Sequence, residues 1–128
     1  MKRLAILLFV PVLLVACRPP ADGAAARTAP PGVTVELSLE GPARIGTVPV
    51  RLELSGTPAP VSRVSFTGDM THAGMVPVIA EGVETEPGSW RAADFAFHMG
   101  GDWFVLAEVT LEDGTTFEST LPVNVSGN

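Results

Sequence analysis

The sequence predicts an all-β domain: an immunoglobulin-like antiparallel β-sandwich of about seven strands, preceded by a signal peptide and a disordered linker. Two observations predict this class. Apolar and polar residues alternate in short runs separated by Gly and Pro, and the chain after residue 17 has no stretch of helical periodicity. Short alternating strands in this number and spacing are typical of two-layer sandwiches, with an open barrel as the competing architecture.

The amino terminus predicts export. A basic start, MKR, precedes an apolar run, and residues 1–16 together have the pattern of a secretory signal peptide. The run is shorter than the roughly 18 residues that a spanning helix needs, and Pro11 interrupts it. The sequence LVAC at residues 14–17 resembles the lipobox of bacterial lipoproteins. That resemblance implies cleavage before Cys17, acylation of Cys17, and a lipid-anchored protein outside the cytoplasm, either periplasmic or on the outer face; an ordinary signal peptide is the alternative.

The remaining chain predicts a tether and one domain. Residues 17–32 are rich in Pro and Ala and contain almost nothing that could be buried, which predicts a flexible tether. Residues 33–126 are long enough for one domain with a hydrophobic core. Cys17 is the only cysteine, so no disulfide can form within the chain.

Seven runs predict the strands, in chain order 33–40, 48–54, 64–66, 75–80, 89–98, 103–111 and 116–125. The first, VTVELSLE, alternates without interruption and predicts a half-buried strand. In the fifth, the two phenylalanines are out of phase with Trp90, which predicts a bulge near Ala93. Residues 112–115, EDGT, predict a hairpin turn between the last two strands.

Charge and motif content exclude several function classes. The chain has 14 acidic and 8 basic residues, and removal of Lys2 and Arg3 with the signal leaves 6 basic ones, which argues against a nucleic-acid partner. The sequence has no recognisable nucleophile–base arrangement and no phosphate-binding loop, so we expect a protein that is not an enzyme. The acidic segment that contains Glu81, Glu84 and Glu86 is predicted to be a solvated loop.

The methionines and histidines after residue 17 fall into two clusters, Met70-Thr71-His72-Ala73-Gly74-Met75 and His98-Met99. Thioether and imidazole ligands together favour copper, above all Cu(I), over zinc, calcium or magnesium. In an up-and-down count of strands, the connections that carry the two clusters emerge at the same end of the sandwich. The sequence therefore predicts a copper site at that end, while the amino terminus, the 81–87 segment and the 112–113 turn lie at the other.

A second interpretation needs no metal. Met99 continues the parity of the preceding phenylalanines, Met75 can begin a strand as a core residue, and His98 can be an ordinary exposed side chain. The protein is then an interaction module of the cell envelope, with its Met and Trp residues in the core or in an apolar contact patch.

The segment that carries both clusters also resembles a known family. Residues 68–75 (GDMTHAGM), 88–92 (GSWRA) and 97–103 (FHMGGDW) are similar to the YtkA-like/FixH-like domains, small exported β-sandwiches with a Met- and His-bearing loop. The resemblance covers roughly residues 33–125. At the matching positions it implies four metal ligands, Met70, His72, Met75 and Met99. His98 is added only because it adjoins Met99.

The resemblance also implies a role. Such domains are extracytoplasmic accessory proteins associated with copper handling and with assembly of respiratory oxidases, and they are not enzymes. We therefore expect a monomeric copper-binding or copper-delivery domain held on the membrane by Cys17, with a copper-accepting membrane protein as its partner.

Overall fold

The computed structural model describes residues 27–72 and 74–127. The predicted signal peptide, Cys17 and residues 18–26 of the predicted tether lie outside the described residues. The described chain forms ten strands: β1 (Thr34–Leu39), β2 (Gly46–Thr47), β3 (Val50–Ser55), β4 (Val61–Met70), β5 (Val78–Glu81), β6 (Val83–Glu86), β7 (Ser89–Ala92), β8 (Ala96–Phe97), β9 (Gly101–Leu111) and β10 (Thr116–Val125).

The strands form an antiparallel β-sandwich, which confirms the predicted fold class. The described residues contain ten strands rather than about seven, because several short strands lack a clear alternation of their own. One sheet has the order β1-β3-β7-β6 and the other has the order β10-β9-β4-β5, while β2 and β8 form a two-stranded ribbon. Every pairing within the sheets and the ribbon is antiparallel. Within the described residues, no helix is long and apolar enough to cross a membrane.

Alternation along the central strands builds the core between the two sheets. In β3 the apolar residues Val50 and Leu52 are fully buried, and in β9 every second residue from Trp103 to Leu111 is buried. Side chains point to opposite faces at successive strand positions, so one face of each strand lies in the core and the other is left for polar residues. The predicted parity of these strands is confirmed.

The fifth predicted run is not one bulged strand. It is divided into β7, which pairs with β3 in a four-stranded sheet, and β8, which pairs with β2 in the ribbon. The phase break at residues 93–95 is the turn between them, and both Trp90 before it and Phe95 after it are buried. The prediction of a bulge near Ala93 was wrong because the chain changes sheets there rather than continuing one ladder.

The segment 81–87, predicted to be a loop, contains strand β6. All four residues of β6 are exposed, and the strand pairs with β7 through a register shift between Glu84 and Glu86. A strand with no buried face lacks the alternation on which the prediction depended. The fourth predicted strand was placed at residues 75–80, whereas β5 begins only at Val78.

The described end of the predicted tether lies against the domain. The amide of Glu118 donates to the carbonyl of Arg27 at 2.8 Å, the Arg27 guanidinium donates to the hydroxyl of Thr116, and the amide of Val33 donates to the carbonyl of Pro30 at 3.1 Å. Residue 27, the first described residue, is therefore already in contact with the domain, ahead of the predicted boundary at Val33.

The two ends of the sandwich carry different connections. The 71–77 and 98–100 connections lie at one end, which we call the Met/His pole, because Met70 at the end of β4 is the register partner of Trp103 near the start of β9. The predicted 112–115 hairpin turn lies at the other end, the opposite pole, together with Arg27, which contacts the start of β10. The predicted ends of the 71–77, 98–100 and 112–115 connections are confirmed. The 81–87 segment, predicted to be a loop at the opposite pole, instead contains strand β6.

Candidate metal site at the Met/His pole

Strands β4 and β9 bring the two Met- and His-bearing segments side by side. Met70 and Trp103 are register partners, and just beyond them the amide of Thr71 donates to the carbonyl of Asp102 at 3.3 Å. This bond extends the strand ladder into the first connection. The connection therefore leaves the sheet directly beside the residues that lead into β9.

Met70 is part of the core as well as of the pole. It is the last residue of β4, where the sequence indicated a loop, and its side chain is only 8% exposed. Its methyl carbon Cε lies so close to Gly101 that a Cβ at that position would be 2.9 Å away. Gly101, with φ of 130°, thus supplies both the unusual backbone conformation and the space that the thioether occupies.

His98 and Met99 are arranged around the buried indole of Trp103. The Trp103 Nε1 donates to the carbonyl of Met99 at 3.0 Å, and the ring centroids of His98 and Trp103 are 5.1 Å apart at an interplanar angle of 88°. The Met99 side chain is 43% exposed, and that of His98 is also exposed. The hydrogen bond from the Trp103 indole fixes the backbone at Met99, whose side chain remains partly exposed at the surface.

The remaining two candidates lie farther along the first connection. His72 is exposed, and Met75 is half-buried and packs against the edge of the core. The structure therefore gathers Met70, His98 and Met99 around Gly101 and Trp103, and it places His72 and Met75 on the connection that starts beside them.

Two polar residues that the sequence reasoning did not select support this pole. The amide nitrogen Nδ2 of Asn124 donates to Oδ1 of Asp102 at 2.7 Å, across the β9–β10 ladder. Asp102, Trp103 and Asn124 also line a cleft of about 410 Å³, together with Thr71. Asp102 stands within the quoted FHMGGDW segment, but only the strand register connects Asn124 to it.

The donor set limits which metal the pole can hold. Among residues 27–72 and 74–127, no group of three or more His, Cys, Asp or Glu side chains is arranged to hold a metal ion. The other donors at this pole are thioether sulfurs, which are soft ligands that suit Cu(I) better than zinc, calcium or magnesium.

A network of charged side chains lies elsewhere, on the outer face of the β1-β3-β7-β6 sheet. Arg51 and Arg91 are direct register partners, and Glu40 accepts hydrogen bonds from both guanidinium groups at 2.7 and 2.8 Å. The hydrogen bond from Arg91, followed in importance by the one from Arg51, lowers the pKa of Glu40 below its ordinary value of 4.5. The carboxylate thus offsets the repulsion between two opposed cations, which is a structural role.

Comparison with known proteins shows the fold. The arrangement belongs to the class of small immunoglobulin-like β-sandwiches. No family model matches the chain, and no curated protein matches it.

Several solved structures have a similar fold. The soluble domain of PmoD from a Methylocystis species has a TM-score of 0.54 at 8% identity, over 81% of this chain and 100% of that one. CopC from Methylosinus trichosporium OB3b has a TM-score of 0.50 at 17% identity, over 73% of this chain and 91% of that one. An engineered protein also has a TM-score of 0.54, at 18% identity and over 73% of this chain, which spans only 20% of the engineered protein's length.

Proposed function

We propose that this protein is a lipid-anchored, extracytoplasmic domain that binds Cu(I) at the Met/His pole and delivers it to a membrane protein. The proposed ligands are His72 with two or three of Met70, Met75 and Met99, and His98 is a further imidazole at the same pole. One observation carries the proposal: the segments that hold the two Met/His clusters lie side by side, joined by the Met70–Trp103 pairing and the Thr71–Asp102 hydrogen bond.

The chemistry of these donors suits a carrier. Thioether and imidazole groups bind Cu(I) without adding charge, and copper is then cargo rather than a resident cofactor. Met99 and His72 are exposed, whereas Met70 is buried. An acceptor could replace the exposed ligands first while the inner thioether still holds the ion, so transfer would proceed by stepwise ligand exchange.

The anchor and the accessory role belong to the same proposal. The signal peptide and Cys17 would place a monomeric, non-enzymatic domain on the membrane, where the copper-accepting partner resides. The resemblance to YtkA-like/FixH-like domains supports a link to respiratory oxidase assembly. The described part of the tether passes beside Thr116, toward the opposite pole, which would leave the Met/His pole turned away from the anchor.

Competition for Cu(I) tests the proposal. The full chain, in detergent micelles and without oxygen, is titrated with Cu(I) against a chromogenic chelator, alongside His72→Ala, His98→Ala and Met99→Ala. Ile45→Ala removes another exposed apolar side chain and serves as the control for Met99→Ala. We expect one ion per chain and at least tenfold weaker binding in His72→Ala and Met99→Ala, about 1.4 kcal/mol or more. No competition by the parent chain would refute the copper proposal.

One observation favours the metal-free alternative. Met70 is in the core and Met75 packs against it, so both thioethers already have a packing role. Two results together would favour this alternative: the parent chain binds no Cu(I), and Met70→Leu keeps the folded structure and the thermal midpoint. The methionines then act as core residues, and the protein is better described as an interaction module of the cell envelope.

A further inference from the structure

Strands β5 and β6 form an open side of the sandwich. Each is the last strand of its sheet, and the chain crosses from one sheet to the other at Gly82 between them. In the part of the chain that the structure describes, no strand pairs with the outer edge of either. Such an edge presents unpaired backbone N–H and C=O groups to any extended chain that approaches it.

Exposed apolar side chains concentrate on this side. Ile79 on β5 and Val83 on β6 are 68% and 66% exposed. Val76, in the 71–77 connection that leads into β5, is 77% exposed. Elsewhere in the described chain, the exposed large hydrophobic residues are Ile45 and Met99, which are less exposed, at 38% and 43%. Exposed apolar residues on unpaired edge strands, as at Ile79 and Val83, are typical of a docking surface.

Clefts flank β6 on both faces. Val83 and its register partner Arg91 line a cleft of about 310 Å³ with Ala93 and Asp94. The next residue, Glu84, and its partner Trp90 line a second cleft of about 230 Å³. Because successive residues of a strand point to opposite faces, the two clefts lie on opposite sides of β6. A strand added to this edge would place alternate side chains in the two clefts.

Trp90, which lines the second cleft, carries an unsatisfied donor. Trp90 is 8% exposed, and its Nε1 is buried without a hydrogen-bond partner. A buried donor left without an acceptor costs roughly 1–3 kcal/mol. Glu84, the register partner of Trp90, lines the same cleft, and a rearrangement of its carboxylate when the edge is covered would supply an acceptor.

The charge of this edge defines the occupant. Glu84 and Glu86 are exposed and form no ion pair within the described residues, whereas Glu81 on β5 is bound by Arg63. A second copy of β6 in the same position would bring its own glutamates against these two, which is unfavourable. A basic side chain would instead lay its aliphatic stem along Trp90 and Leu54 and bring its charge to Glu84.

We propose that the β6 edge binds an extended segment of a partner protein in which basic and apolar residues alternate. Main-chain hydrogen bonds to β6 give affinity, basic side chains enter the Glu84–Trp90 cleft, and apolar side chains enter the Val83–Ala93 cleft. This docking surface is distinct from the Met/His pole and does not require a metal.

Two blocked hexapeptides test the proposal on the full chain in detergent micelles. One alternates valine and lysine, and the other alternates valine and glutamate, so that only the charge differs. Calorimetry gives the affinity, and hydrogen exchange identifies the strand that becomes protected. We expect the lysine peptide to bind at least tenfold more tightly than the glutamate peptide and to protect the amides of β6.

Charge-reversal variants test whether the preference for the lysine peptide arises at the β6 edge. Glu84→Lys combined with Glu86→Lys should weaken the lysine peptide at least tenfold and favour the glutamate peptide. Glu36→Lys combined with Glu118→Lys makes the same charge change on β1 and β10 and should leave both affinities within about threefold, which separates local pairing from net charge. Equal binding of the two peptides, protection confined to β1 or β10, or a β6-protected dimer of the chain alone would overturn the proposal.

Discussion

Replacement of Gly68 with Ala tests whether the aromatic packing beneath the Met/His pole is as tight as the structure indicates. Gly68 lies within β4, and a Cβ there would be 2.6 Å from Cζ of Phe95. The Phe95 ring cannot swing into solvent, because it is fully buried and packs edge-on against Phe97 with centroids 5.4 Å apart. Gly68 has no positive φ, so the backbone itself would accept alanine and the clash is purely steric.

The expected cost follows from that geometry. Overpacking of a rigid core typically costs about 1–3 kcal/mol, and we expect about 2 kcal/mol here. For a domain of this size the thermal midpoint falls by about 4–8 °C per kcal/mol, which gives a decrease of about 8–16 °C.

Thermal and urea unfolding of Gly68→Ala, Phe95→Leu and the double variant measure the effect. The smaller leucine makes room for the new methyl group, so the double variant should be at least about 1 kcal/mol more stable than the sum of the single changes predicts. Gly127→Ala is the control, because a Cβ there meets nothing within 4 Å. A midpoint for Gly68→Ala within about 2 °C of the parent, or strict additivity in the cycle, would refute the inferred packing.

Two further predictions concern the pole and the charge network. Gly101→Ala should destabilise the fold by about 1–3 kcal/mol, because φ is 130° at this position. It should also weaken Cu(I) binding, because the new Cβ would displace the Met70 side chain. An unchanged urea midpoint would contradict the predicted loss of stability. Because Arg91 and Arg51 lower the pKa of Glu40, its stabilising contribution is present above pH 4.5 and is lost as the pH falls through the lowered pKa. Glu40→Gln should therefore lower the thermal midpoint at pH 7 and reduce its decline below pH 4.5, and parallel pH profiles for the two proteins would contradict the prediction.

The fold class could be predicted because most of the core strands have one buried and one polar face. In β3, β9 and β10 the apolar residues alternate with polar ones because one face of each strand is buried and the other is exposed. The predicted bounds of β10 match the structure. Strand β6 could not be predicted in this way, since all of its residues are exposed and pairing with β7 is a tertiary property. The turn at residues 93–95 was recognised as a change of phase, but a single sequence does not distinguish a bulge from a change of sheet.

The candidate site could be predicted only in part. The sequence identified two clusters and the end of the sandwich at which they meet, because strand order fixes the direction of each connection. It did not reveal that Met70 is buried, that Gly101 makes room for its thioether, or that Trp103 fixes the backbone at Met99. These features depend on the register between β4 and β9, which alternation alone does not determine.

The positions of the two tryptophans provide independent optical probes. Trp103 and Trp90 are the only tryptophans in the chain, and the first lies at the Met/His pole while the second lines the cleft beside β6. In a Trp90→Phe variant, intrinsic fluorescence would report events around Met99; in a Trp103→Phe variant, it would report occupation of the Glu84 cleft. Loading with metal and docking of a peptide can thus be followed separately, without any attached dye.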